Sequence, residues 1–151
     1  MRKCLLILIL LVSFDRTSAQ NPVKWKFETV CISDSIQELI ITAVIQDGWY
    51  IYSKDNGNLG PMPTSVKFDA SSEFELMGSQ EEEGEKWMKF DPFFNMELAY
   101  FKHQLILKQR FKRLTNTDIT LKGKVDFMGC DDHMCLPPQS KSFEVPIKRK
   151  K

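Results

Sequence analysis

The sequence predicts an all-β protein, two sheets packed as a sandwich, on three observations. Apolar and polar residues alternate along most of the chain, turn-forming residues break that alternation at short intervals, and no stretch carries helical spacing of comparable strength. About eight or nine short strands separated by frequent turns suggest a two-sheet sandwich.

Each strand is read from its own alternation. Trp25, Phe27 and Cys31 share one face of the first, with Lys24, Lys26 and Glu28 on the other. That pattern predicts a buried, unpaired thiol at Cys31. Leu39, Ile41, Ala43 and Ile45 alternate until Asp47-Gly48, a strong turn signal, which leads into Trp49-Tyr50-Ile51-Tyr52. Short strands follow at Val66-Phe68 and Phe74-Leu76. Leu105, Leu107 and Phe111 mark another, then Ile119, Leu121, Val125 and Phe127, and last Phe143, Val145 and Ile147. Two stretches interrupt the pattern. The run from Asp55 to Pro63 is a Gly/Pro-rich loop, and Glu81 to Glu85 reads as a solvated acidic turn. His103 lies between two strand-like segments with no evident partner, an ordinary surface residue.

The amino terminus sets the expected compartment. Arg2 and Lys3 precede an apolar run from Leu5 to Phe14, and Thr17-Ser18-Ala19 offers small residues for cleavage just before Gln20. This is the pattern of a secretory signal peptide over residues 1–19, too short to span a bilayer. Cys4 leaves with it, and no later segment is apolar enough for a membrane helix. Residues 20–151 are then expected to form one domain, a size sufficient for a core without extra staples. With 21 basic and 20 acidic residues the charges nearly cancel, so no global field points to nucleic acid. The end at Lys148-Arg149-Lys150-Lys151 reads as a solvated tail.

Chemistry concentrates in Phe127-Met128-Gly129-Cys130-Asp131-Asp132-His133-Met134-Cys135-Leu136-Pro137-Pro138. An alternating strand enters this segment and two prolines stop regular structure after it, so the cysteines sit at a strand end or hairpin turn, within disulfide reach. A bond across so short a loop removes roughly 2 kcal/mol of unfolded-state entropy, against nearly 5 for a loop of about 100 residues. It is a weak staple, and short turn-borne disulfides tend to be labile or catalytic. Spacing alone leaves staple and redox switch level. A metal site at Cys130, His133 and Cys135 with Asp131 or Asp132 departs from the two-plus-two zinc patterns, and neither metal nor cofactor is expected. The flanking Asp131 and Asp132 disfavour a thiolate, whereas a protonated His133 would favour it.

With these residues in view, the sequence resembles the amino-terminal periplasmic domain of the thiol:disulfide interchange protein DsbD, the disulfide-bond corrector family. The resemblance runs through Trp25-Lys26-Phe27, Gly48-Trp49-Tyr50-Ile51-Tyr52-Ser53, Gly60-Pro61-Met62-Pro63-Thr64, Phe90-Asp91-Pro92-Phe93-Phe94 and the Cys130 to Pro138 segment. It implies an immunoglobulin-like sandwich in the periplasm with the cysteine pair at one end. Electrons would arrive from a membrane-embedded transporter, here a separate chain, through a thioredoxin-like domain, and pass to exported thiol-disulfide oxidoreductases. Carried over by position, Cys135 forms the mixed disulfide and Cys130 resolves it. Asp91, Phe93 and Phe94 match a loop that covers the disulfide until a partner displaces it; without the resemblance Phe90, Phe93 and Phe94 read as core aromatics. Two departures stand out: four residues separate the cysteines, one fewer than in the best-known members, and Phe94 occupies a position where a tyrosine is often found. A monomer is expected. The competing class is a non-enzymatic sandwich that binds protein or glycan and carries a minor disulfide.

Overall fold

The computed structural model describes residues 21–57, 60–92 and 94–149; residues 1–19, read above as a signal peptide, lie outside them. Alternation builds most of the strands: β1 (Val23–Cys31), β2 (Ile36–Ile45), β3 (Tyr50–Tyr52), β4 (Ser65–Phe68), β5 (Phe74–Glu83), β6 (Lys86–Asp91), β7 (Met96–Phe101), β8 (Gln104–Arg113), β9 (Ile119–Phe127), β10 (Gly129–Cys130) and β11 (Gln139–Ile147). All pairings are antiparallel, in the orders β1-β2-β8-β5, β11-β9-β4 and β10-β3-β7-β6. The result is the immunoglobulin-like sandwich.

The main core is filled from all three sheets. Leu39, Ile41, Leu105, Leu107, Phe111, Leu121, Val125 and Phe127 are its most deeply buried members, joined by Ile51 from β3 and Phe101 from β7. Each such side chain contributes about 1.5–3 kcal/mol by leaving water. Gly123 is required by this packing. A Cβ there would sit 2.3 Å from the Lys67 carbonyl oxygen and 2.8 Å from the Phe143 ring, which instead meets Phe68 at 5.9 Å.

A second, smaller core positions the candidate site. Because side chains alternate across a strand, β3 sends Ile51 into the main core and Tyr50 and Tyr52 to the opposite face. In β7, Phe101 joins the main core while Leu98 and Tyr100 face the other way. The chain of β9 runs on into β10, so Phe127 faces the main core, and Met128 and Cys130 the smaller one.

Four expectations are corrected. Cys31 is exposed, because the end of β1 outruns the apolar side chains that cover Trp25 and Phe27; its thiol donates to the Ser33 carbonyl at 3.1 Å. Glu81 to Glu83 belong to β5 rather than a turn, and the Glu82 side chain is buried. It accepts from the Ser53 hydroxyl (2.6 Å), the Lys54 amide (2.7 Å) and the Lys86 ammonium (3.1 Å). His103 does have a partner. Its Nδ1 lies 3.2 Å from Asp47 Oδ1, in the tight β7–β8 turn where its φ is 62°. Finally, the described strands number eleven, and β6, β7 and the two-residue β10 had no counterpart in the alternation pattern.

Candidate functional site

A disulfide joins Cys130 and Cys135. The local sequence builds a hairpin around it. The Asp131 amide donates to the Met134 carbonyl (2.8 Å), and the Leu136 amide to the Gly129 carbonyl (2.9 Å). These bonds bracket Cys130 and Cys135, which therefore form a non-hydrogen-bonded antiparallel pair, the closer of the two kinds. Their Cα atoms stand 4.0 Å apart. Asp131 closes the turn, its Oδ1 accepting from the amides of His133 (2.8 Å) and Met134 (2.7 Å). Those two N–H donors hold its carboxyl below the usual carboxylate range.

The two sulfurs have unequal surroundings. Cys130 is wholly buried in the smaller core with Tyr50, Tyr52, Leu98 and Tyr100, whereas Cys135 is exposed. Cys135 borders a cleft of about 510 Å³ whose other walls are Tyr50, Tyr52, Lys89, Asp91, Pro92, Phe94 and the residues from Asp131 to Met134.

The loop bordering this cleft is the tip of the β6–β7 hairpin. Asp91 ends β6 and accepts from the Phe94 amide at 3.3 Å, which turns the chain after Pro92. Its other oxygen accepts from the Tyr52 hydroxyl at 3.4 Å, tying the loop to the tyrosine floor. Phe94 is 41% exposed and Phe90 55%, so the reading of both as core aromatics is corrected; Phe93 lies outside the described residues. Tyr50 donates to the Asp131 carbonyl at 3.2 Å and packs on Tyr52 and Tyr100 at 5.6 and 4.9 Å. Burial is the main reason the Tyr50 and Tyr52 hydroxyls are both held neutral above the ordinary tyrosine range, Tyr52 the further of the two.

The acidic neighbours of the cysteines are partly compensated. Asp131 is committed to two backbone donors, and Asp132 faces Lys89 of β6 at 3.5 Å. His133 is exposed and contributes its amide to the turn. Among the described residues no cluster of histidine, cysteine and carboxylates could hold a metal. Another cleft, of about 560 Å³, contains Cys31 but no second thiol and no imidazole for it to work with.

The alternation pattern did not single out Tyr50, Tyr52, Lys89 or Tyr100. A signal was present in Tyr50-Ile51-Tyr52, where two aromatics flank a core isoleucine and so must share the face away from the main core.

Comparison with solved structures gives the same fold. The Neisseria meningitidis DsbD N-terminal domain in its reduced form is 17% identical, with a TM-score of 0.51 over 82% of this chain and 90% of that one. A structure of the complex between the DsbD N-terminal and PilB N-terminal domains of the same organism is 16% identical, with a TM-score of 0.54 over 91% of this chain and 95% of that one. No curated protein matches the sequence. The family model for the N-terminal part of thiol:disulfide interchange protein DsbD matches residues 18–147, and with the sandwich and its terminal disulfide hairpin in place the chain belongs to that family.

Proposed function

We propose that this chain is a periplasmic thiol-disulfide exchange module that relays electrons from a thioredoxin-like or membrane-linked donor to exported oxidoreductases. The observation that carries the reading is the asymmetry of the disulfide, Cys135 exposed at a cleft and Cys130 buried behind it. Membership of the family and the existence of a DsbD–PilB complex support exchange with a protein partner. Export by a leader over residues 1–19 and a single domain over 20–151 are part of the same proposal.

Exchange runs in two balanced steps. A donor thiolate attacks Cys135 Sγ, the accessible sulfur; the Cys135–Cys130 bond breaks and Cys130 leaves as a thiolate that takes a proton. The donor's second thiolate then attacks the donor's first sulfur, forming the donor disulfide and releasing reduced Cys135. Two electrons and two protons have moved to the domain. In the forward transfer Cys135 attacks an acceptor disulfide, and Cys130 resolves the mixed disulfide. Asp91 and Phe94, with Phe93, act as the cover that a partner displaces. Asp131, Asp132 and His133 tune the thiolate through the charges facing the cleft.

Trapping tests this. In protein that also carries Cys31→Ser, Cys130→Ser leaves Cys135 to accumulate mixed disulfides with exported thioredoxin-like proteins, and Cys135→Ser yields none. A complete absence of adducts from Cys130→Ser contradicts the proposal. For the cover, Phe94→Ala should speed reduction by dithiothreitol; an unchanged rate argues against a covering role.

A further inference from the structure

We infer that the outer edge of β6 receives an extended segment of the exchange partner as an added strand, delivering that partner's sulfur to Cys135. The inference rests on the exchange reading and extends it to how the partner is held.

β6 is the last strand of the sheet β10-β3-β7-β6, and no backbone group from Lys86 to Phe90 has a partner beyond β7 among the described residues. A strand edge of this kind is a template for pairing with another chain. The other sheet edges are blunted. β5 carries a register shift between Met77 and Glu81, β4 has four residues, β10 two, β11 contains Pro146, and β1 alternates Lys24, Lys26 and Glu28 outward. β6 instead exposes three large apolar side chains within its six residues: Trp87 (44%), Met88 (60%) and Phe90 (55%).

Alternation distributes them usefully. Met88 and Phe90 share one face. Trp87 and Lys89 share the other, the face that leads to the cleft, since Lys89 reaches Asp132 and the Lys102 ammonium lies over both Trp87 (5.9 Å) and Tyr100 (5.7 Å). An incoming strand is therefore gripped by apolar side chains on one face and by an aromatic with two cations on the other. The segment that fits alternates apolar and acidic residues. β6 also runs straight into the loop that begins at Asp91 and borders the cleft containing Cys135. A strand laid along β6 thus leads to the loop whose Asp91, Pro92 and Phe94 share the walls of that cleft with Cys135.

The test uses protein with Cys31→Ser and Cys130→Ser, so that Cys135 is the sole thiol after the leader. Two peptides are equilibrated with it in a glutathione buffer: a cysteine followed by alternating valine and glutamate, and the same peptide with proline at alternate positions. The alternating peptide should form the mixed disulfide at least about tenfold more favourably, with slowed amide exchange along β6. Phe90→Glu, which places a carboxylate where the strand's apolar face docks, should abolish that preference. Equal coupling by both peptides with β6 amides unprotected overturns the inference and leaves Cys135 exchange intact. A preference without β6 protection also overturns it, since the peptide then sits elsewhere. Failure of both peptides to couple overturns the exchange reading together with this one.

Discussion

When dithiothreitol reduces the Cys130–Cys135 disulfide, the native hairpin keeps its other supports. The bonds from Asp131 to Met134, from Leu136 to Gly129 and within the Asp131 turn do not involve sulfur. What changes is the unfolded chain, which gains the freedom of a loop of about six residues, worth roughly 2 kcal/mol at 25 °C. For a domain of this size that corresponds to a fall in Tm of about 7 °C. The same cycle fixes the redox consequence. Folding makes the bond harder to reduce by the same roughly 2 kcal/mol, or about 45 mV relative to the unfolded chain. A staple closing a loop of about 100 residues would give nearly 5 kcal/mol and about 100 mV. The assay is urea unfolding of the oxidised and reduced protein, with glutathione equilibria measured in buffer and in denaturant. A reduced form that is unfolded in buffer, or a stability loss above about 4 kcal/mol, refutes this reasoning and makes the disulfide a structural necessity.

Three further predictions concern the scaffold. Asp126 is buried and accepts from the Ser140 hydroxyl, with Lys67 and Lys124 at 3.0 and 3.2 Å; the Ser140 bond and then the two lysines lower its pKa to about 2. Its stabilisation is present above the unfolded carboxyl value near 4 and is lost as pH falls through about 2, so Asp126→Asn costs about 2 kcal/mol at pH 7 and progressively less below pH 4. Urea titrations across that range check the convergence. Glu82→Ala strands Ser53, the Lys54 amide and Lys86 without their common acceptor, and unfolding should register a loss of about 3 kcal/mol. Cys31→Ser is expected to change stability by less than about 0.5 kcal/mol, and Cys31 should react with an aromatic disulfide reagent in the folded protein.

Alternation was legible wherever a strand has one face on the core and one in water, as in β2, β8 and β9. β6 and β7 escaped for opposite reasons. β6 is exposed on both faces, so its Trp87, Met88 and Phe90 follow no period. β7 lies between the two cores, so Leu98-Ala99-Tyr100-Phe101 is continuously apolar. Cys31 misled because a strand keeps its alternation even where nothing packs against it. Glu82 misled because composition cannot distinguish a solvated acid from one buried against Ser53 and Lys86. The cysteine pair was legible from its own residues as sitting at a strand end or hairpin turn, but the closure of that turn by Asp131 was not read from them. The unequal burial of the two sulfurs was not, because it arises from Tyr50, Tyr52 and Tyr100, which reach Cys130 through strand pairings far apart in sequence.

That inequality is the centre of the account. Burial forces a thiol to wait for a local opening, and an opening that costs even about 1.4 kcal/mol slows its reaction tenfold. The most direct measurement is alkylation of the reduced protein carrying Cys31→Ser, with each cysteine followed separately by peptide mapping. Cys135 should be modified at least about tenfold faster than Cys130. Equal rates, or faster modification of Cys130, would contradict the assignment of Cys135 as the exchanging sulfur.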